Sequence, residues 1–460
     1  MASASTFCPN QTLNSPGNCF LYQWKKTRSS RTEVVGSSYQ AFDVVIIGAG
    51  IIGLTIARQF LIGSNLSVAV VDKAVPCSGA TGAGQGYLWM VHKTPGSETW
   101  ELAMRSHTLW EMLAESVRDQ GLNPLAELGW RKTGSLLVSR THAESDILKK
   151  RVTQLSEAGL EAEYLSRDDL RKEEPALSVG GDSGAAFVPS DSQLDAQRTV
   201  AFIEKANRQF SSKGRYAEFY HDPVKCIVRS GSSGEVGAVQ TFMNTLHSRK
   251  AVIFATGCWT GSLMHDLVRS SEIELDVPVR PRKGHLLVLE NFNSLKLNHG
   301  LMEAGYVNHQ TATLRPSISE LEPSDEGRNL SVSMTATMDA AGNLVLGSSR
   351  EFAGFNTEVD DSIIKHIWQR AGEFFPKLSE LPLSDISNCK KVRIGLRPYM
   401  PDGKPVIGAV PGLSNLFLAA GHEGGGLSMA LGTAEMVVDM VLGQPRKVDN
   451  APFAVQGRCC

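Results

Sequence analysis

Phe42–Ile47 is an apolar, largely β-branched run broken only by Asp43, the pattern of a strand buried on both faces. Leu66–Val71 is a second mainly apolar strand pattern and ends at Asp72. Between them, Leu54 to Leu61 reads as a helix. Ala251–Phe254 predicts another buried strand, preceded by a hairpin pattern of Cys226–Arg229, a turn at 230–234 and Glu235–Phe242. Apolar spacing turns helical at Glu101–Gln120 and Ala143–Ala158, as in helices lying on a domain surface. Residues 276–390 alternate as strands and include a helix near Asp361–Phe374. Strand Leu416–Ala420 then leads through a glycine-rich loop into an apolar helix, Leu427–Leu442. The chain has no internal repeat and no unbroken apolar run of the roughly 18 residues that predict a transmembrane helix.

A chain of 460 residues exceeds what one hydrophobic core supports, so two domains are expected. Net charge is −2, which gives no electrostatic footprint for nucleic acid. Eight cysteines are scattered without a CxxC pair, so neither a zinc site nor a disulfide framework is expected. Cys459-Cys460 is not a CaaX box, and residues 446–460 read as an untethered tail. Residues 1–40 are Ser/Thr-rich, carry Lys25, Lys26, Arg28 and Arg31, and have no acid before Glu33. This fits an organellar transit peptide, chloroplast (stromal) in type, with the mitochondrion as the alternative.

The chemistry starts at Gly48-Ala49-Gly50-Ile51-Ile52-Gly53, directly after the first strand. Gly48 permits the tight turn, Gly50 lets a pyrophosphate approach the backbone, and Gly53 lets helix and strand pack closely. The helix N-terminus then offers unpaired N–H groups to phosphate. Asp72 lies 19 residues beyond Gly53, where a carboxylate accepts ribose hydroxyls. The whole unit predicts FAD or NAD and disfavours NADP. Three segments then select FAD. Ser78–Gly86 is a small-residue loop suited to wrapping a large cofactor, and a further buried strand ending in Ala255-Thr256-Gly257 is the second such segment. Gly395–Gly408 with Gly421–Gly426 ends in a glycine-rich loop that opens a helix.

Residues 42–445 together resemble the D-amino-acid oxidase-like (DAO) superfamily, in its glycine oxidase and D-amino-acid dehydrogenase branch. GAGIIG, VVDK, GLRPYMPDGKPVIG and GHEGGG carry the resemblance. It implies an α/β fold, a Rossmann-type FAD-binding domain (41–95, 186–275 and 391–445) with a discontinuous α+β substrate domain (96–185 and 276–390). It places Ile51 and Ile52 at the pyrophosphate, and Asp72 and Lys73 at the ribose. Ala80, Thr81, Gln85, Gly86 and Tyr87 line the cofactor, Val224 meets adenine, and Gly257, which follows the strand Ala251–Phe254, is also a cofactor contact. His422, Glu423, Gly424, Gly425, Gly426, Leu427 and Ser428 resemble the loop closing over the flavin. Arg397 resembles the arginine that clamps a substrate carboxylate. His422 is a second catalytic candidate, as polariser of flavin or positioner of substrate, and Glu423 a candidate for the amine.

The resemblance implies hydride transfer from an amine-bearing carbon to flavin, giving an imine, with molecular oxygen or another carrier as final acceptor. The chain departs from it in two places. Gly424 stands where glycine oxidase has a second basic residue, and no tyrosine lies near Thr335, leaving Tyr399 or Tyr306 to substitute. No cysteine stands near Gly395, so FAD is expected to be non-covalent. The loop at 301–330 reads as a surface lid. The rival reading is a non-catalytic FAD-binding assembly factor of an organellar redox complex. An NAD-linked dehydrogenase is the third.

Overall fold

A computed structural model describes residues 40–229, 235–268, 275–307, 330–384 and 388–459. The leader expectation, the turn at 230–234 and most of the 301–330 lid lie outside these residues.

The first sheet runs Val406–Val410, Leu413–Ala420, Thr245–Phe254, Gln40–Ile47, Val68–Val71 and Tyr216–Phe219. From Leu413–Ala420 to Tyr216–Phe219 all neighbours are parallel. Val44, Val45 and Ile46 are fully buried, as a central parallel strand covered on both faces requires. The hairpin Val224–Arg229 and Val236–Thr241 pairs onto one end of Thr245–Phe254.

Helix Ile51–Gly63 buries Leu54, Ile56 and Phe60 against this sheet. Beside it lies helix Gly426–Leu442, which also packs on Trp100–Asp119. With the short turn before it, Glu423–Leu442 is the one helix among the described residues long and apolar enough to cross a bilayer. Most of its apolar window is buried within the fold, as in a core helix. Leu102 packs against Gly432, where an added Cβ would sit 2.9 Å from Leu102 Cδ1.

The second sheet runs Lys390–Tyr399, Arg280–Leu289, Leu344–Arg350, Ser331–Met338, Gly300–Glu303, Ser135–Ser139, Gly184–Val188 and Glu163–Leu165. Helix Asp361–Gly372 covers one face with Ile363, Ile364 and Ile367.

Three expectations are corrected. Lys390–Tyr399 and Gly184–Val188 pair in the second sheet, so the boundaries at 391 and 186 fall inside strands that belong with the substrate-side sheet. Gly300–Glu303 is an interior strand between Ser331–Met338 and Ser135–Ser139, not the start of a surface loop. The C-terminal segment is not untethered: Phe453, Val455 and Cys459 are buried in the first sheet's cores. Arg458 Nε also lies 2.7 Å from Asp402 Oδ2. The segment is sparse in apolar residues, but Phe453, Val455 and Cys459 point inward.

Candidate active site

The glycine loop folds as its spacing dictates. Gly48 has φ +114°, and a Cβ there would fall 2.3 Å from the Ala255 carbonyl oxygen. A Cβ on Gly53 would fall 1.9 Å from the Gly48 oxygen. Gly53 and Ile52 thus do not face the cleft; Gly53 sets the helix–strand approach and Ile52 packs into the core. Gly50 meets only Thr81 Oγ1, at 3.3 Å, and is otherwise open to the cleft. It supplies no side-chain cap to helix Ile51–Gly63, whose first turn carries no acid. Ile51 N–H donates to Thr81 Oγ1 at 3.2 Å, and beyond that bond the helix end offers N–H groups and a positive dipole to an anion.

Asp72 closes the loop from the next strand. Its Oδ2 accepts from Ala49 N at 2.7 Å and its Oδ1 from Ala74 N at 2.8 Å. The carboxylate both fixes the glycine turn and lines the cleft.

The cleft holds about 1870 Å³ of empty space, its solvent mouth included. At one end, Gly48, Gly50, Ile51, Asp72, Lys73, Val224 and Gly257 line it. Lys73 Nζ lies 3.7 Å from the ring centroid of Trp259, which stacks on Phe355. Neither aromatic had been singled out. Ala80, Thr81, Gln85 and Gly86 form the middle wall. The far end is built from Tyr87, Arg397, Glu423, Gly424, Gly426 and Leu427.

At that end lies a buried polar cluster. Arg397 Nη1 donates to the Ser349 carbonyl at 2.9 Å. Tyr87 and Tyr306 hydroxyls are 3.0 Å apart. The Arg350 guanidinium sits 4.1 Å from the Tyr306 ring centroid. Burial pushes the Tyr87 phenol well above its ordinary range. Burial would raise Tyr306 too, but the Arg350 and Arg397 charges and the hydrogen bond with Tyr87 together hold it below its usual value. Burial also opposes ionisation of Glu423, yet Arg397, Arg350 and Arg282 keep its carboxyl below the ordinary range.

Tyr306, one of the two substitutes for the missing tyrosine, is therefore at the site. Tyr399 packs against Phe352 and Arg282 instead. Thr335 donates to Gln85 Oε1 at 2.9 Å, orienting an amide that lines the cleft.

His422 is corrected. It does not line the cleft; its Nε2 lies 2.9 Å from Thr433 Oγ1, and burial lowers its pKa to about 3. A neutral ring bonded to a helix hydroxyl is a structural latch, not a polariser. Gly425 and Ser428 also face away from the cleft. A Cβ on Gly425 would meet Met429 at 2.5 Å, and Ser428 Oγ donates to the Gly425 carbonyl. Arg350 and Arg282 escaped the sequence reading because they sit on strands far from any glycine motif. Among the described residues no trio of His, Cys, Asp or Glu is placed to hold a metal.

The family profile for FAD-dependent oxidoreductases of the DAO type matches residues 43–440. The chain belongs to the DAO family. FAD is thus the cofactor and the protein an oxidoreductase. The chain is 25% identical over 418 residues to glycine oxidase of Geobacillus kaustophilus, covering 90% of this chain and 96% of that one. It is 26% identical to D-amino acid dehydrogenase of Allorhizobium ampelinum over 71% of this chain and 66% of that one. The crystal structure of the Geobacillus kaustophilus glycine oxidase superposes with TM-score 0.72 at 23% identity, over 91% of this chain and 99% of the other. The cleft of this DAO-family chain suits FAD on its own evidence: a helix end whose N-cap glycine has no side chain, a Cβ-free approach at Gly50, and a long wall of small residues.

Proposed function

We propose that this DAO-family enzyme oxidises the C–N bond of a carboxylate-bearing amine, of glycine, sarcosine or D-amino-acid type, to an imine. Water then hydrolyses the imine to an oxo acid. Arg397 carries the reading. It lines the far end of the cleft, one N–H is held by Ser349, and no acid pairs with it among the described residues. Its remaining N–H groups are free to take a carboxylate in bidentate fashion.

Bound FAD supplies the hydride acceptor. The chain supplies position. Gly50, Ile51 and the helix end receive the pyrophosphate, and Lys73 with Trp259 flanks the adenosine side. Arg397 fixes the substrate carboxylate, so the α-carbon is presented in a single orientation. Glu423, kept ionised by its arginines, accepts an N–H of the amine. FAD is held without a covalent bond: Cys77 and Cys258 both line the cleft, but burial pushes each thiol up to about 12, so neither offers a thiolate. Molecular oxygen or another electron carrier takes the electrons from the reduced enzyme. The basic, acid-free first 32 residues support a chloroplast address.

Arg397→Ala tests the clamp. Losing a charge-assisted fork raises the substrate KM about 100-fold, roughly 3 kcal/mol, with FAD retained. A KM within about twofold of the parent discards the clamp.

A further inference from the structure

Three neighbouring strands bring an arginine to the same end of the second sheet. Arg397 and Arg282 are direct register partners on antiparallel strands, and Arg350 ends the strand on the other side of Arg280–Leu289. Like charges placed opposite each other destabilise a sheet, so an anion must compensate them. The carboxylate supplied by the chain is Glu423. Arg282 Nη1 is 3.5 Å from Glu423 Oε1, and Glu423 holds a φ of +46°, a strained conformation for a non-glycine residue.

Glu423 answers Arg282. Arg350 is 1% exposed and has no acidic partner among the described residues; its Nη2 lacks any hydrogen bond and its Nη1 reaches only Ser333 Oγ, at 3.5 Å. Arg397 bonds to a carbonyl alone. Arg397, half-buried, and Arg350, fully buried, thus share the field of Glu423 but make no ion pair with an acid among the described residues, and a buried charge without a paired anion is costly. At Gly424, a Cβ position would be 3.7 Å from Tyr87 Oη and 3.8 Å from Tyr306 Oη, so no side chain from the loop stands over Tyr87, which lines the cleft, or over the buried Tyr306 hydroxyl behind it. The Arg350 charge stands directly over the Tyr306 ring.

We propose that the site takes a dicarboxylate: an amine substrate with one carboxylate on Arg397 and a second on the Tyr87–Tyr306 hydroxyl pair, backed by Arg350. The inference rests on the amine-oxidation reading for the substrate's third group, the amine. Arg350 is a positioning residue, sharpening Tyr306 as a donor; Tyr306 is the specificity contact.

The test uses the FAD-loaded enzyme and non-oxidisable ligands of matched chain length: propionate against malonate, butyrate against succinate, valerate against glutarate. Binding is read from the perturbed flavin absorbance. In at least one pair the dicarboxylate binds about tenfold more tightly. In Tyr306→Phe and Arg350→Met the ratio of dicarboxylate to monocarboxylate affinity falls below about twofold. Should Arg350→Met fail to fold, the parent pairs and Tyr306→Phe still decide. Equal binding within every pair, or no perturbation by any ligand, overturns the dicarboxylate site. Because binding needs no turnover, the two readings separate. Dicarboxylate preference without flavin reduction by any amine would sink amine oxidation alone. Reduction by simple amino acids without dicarboxylate preference would sink the second anion site alone.

Discussion

Gly48→Ala probes how tightly the cofactor cradle is built. Gly48 sits at φ +114°, outside the left-handed well that other residues tolerate, so the substitution costs about 1–3 kcal/mol in backbone strain alone. The new methyl would lie 2.3 Å from the Ala255 oxygen and 2.8 Å from its carbon, about 1 Å inside contact distance. Ala255 is tied to Ile47 by a 2.8 Å backbone bond, so relief requires parting the ends of two paired strands. That movement displaces Gly50 and the helix end proposed to receive the pyrophosphate. We expect a total loss of about 3–5 kcal/mol and FAD affinity lower by a hundredfold or more. Gly63→Ala is the control: nothing lies within 4 Å of its Cβ position, and the change is neutral or mildly stabilising. Denaturant midpoints and apoprotein titration with FAD measure both. Gly48→Ala with parental midpoint and FAD affinity would refute the reasoning.

His422→Gln changes the acid limb of stability. The native ring titrates near 3 and the unfolded ring near 6.5, so the unfolded chain binds the extra proton between these values. The folded state therefore loses stability as pH falls from about 6.5 towards 3, by up to about 1.4 kcal/mol per pH unit, and the variant's urea midpoint is flatter there. An unchanged slope would show the ring is not buried neutral. Deleting residues 451–460 removes Phe453, Val455 and Cys459 from the core, worth about 4–6 kcal/mol, and the product melts well below the parent or is insoluble. Parental melting would return the segment to the status of a loose tail. A fusion of residues 1–40 to a fluorescent reporter enters chloroplasts; cytosolic fluorescence would reject the address.

Much of the cofactor end was readable because glycine spacing is a local constraint. Gly48, Gly50, Gly53 and Asp72 act within one strand–turn–helix–strand unit, and their roles follow from contacts between near neighbours in sequence. The substrate end was only half readable. Arg397 lay inside a recognisable motif, but Arg350, Arg282 and Tyr306 meet there only because the second sheet places Arg280–Leu289 between the other two arginine strands. No periodicity reports such a register. His422 misled for the opposite reason: a histidine in a glycine-rich loop looks exposed, yet its ring turns back onto Thr433. The strand Lys390–Tyr399 was put in the wrong sheet because its motif continues without a break into Val406–Val410, which does belong to the first.

Anaerobic reduction of the bound flavin tests the central claim most directly. The FAD-loaded enzyme is mixed with glycine, sarcosine, D-amino acids and amino dicarboxylates, and in parallel with the same amines lacking a carboxylate. The account predicts that at least one carboxylate-bearing amine bleaches the flavin and yields one oxo acid per FAD, while its decarboxylated counterpart does not. Flavin that stays oxidised with every amine, or that is bleached equally by the decarboxylated amines, would contradict it.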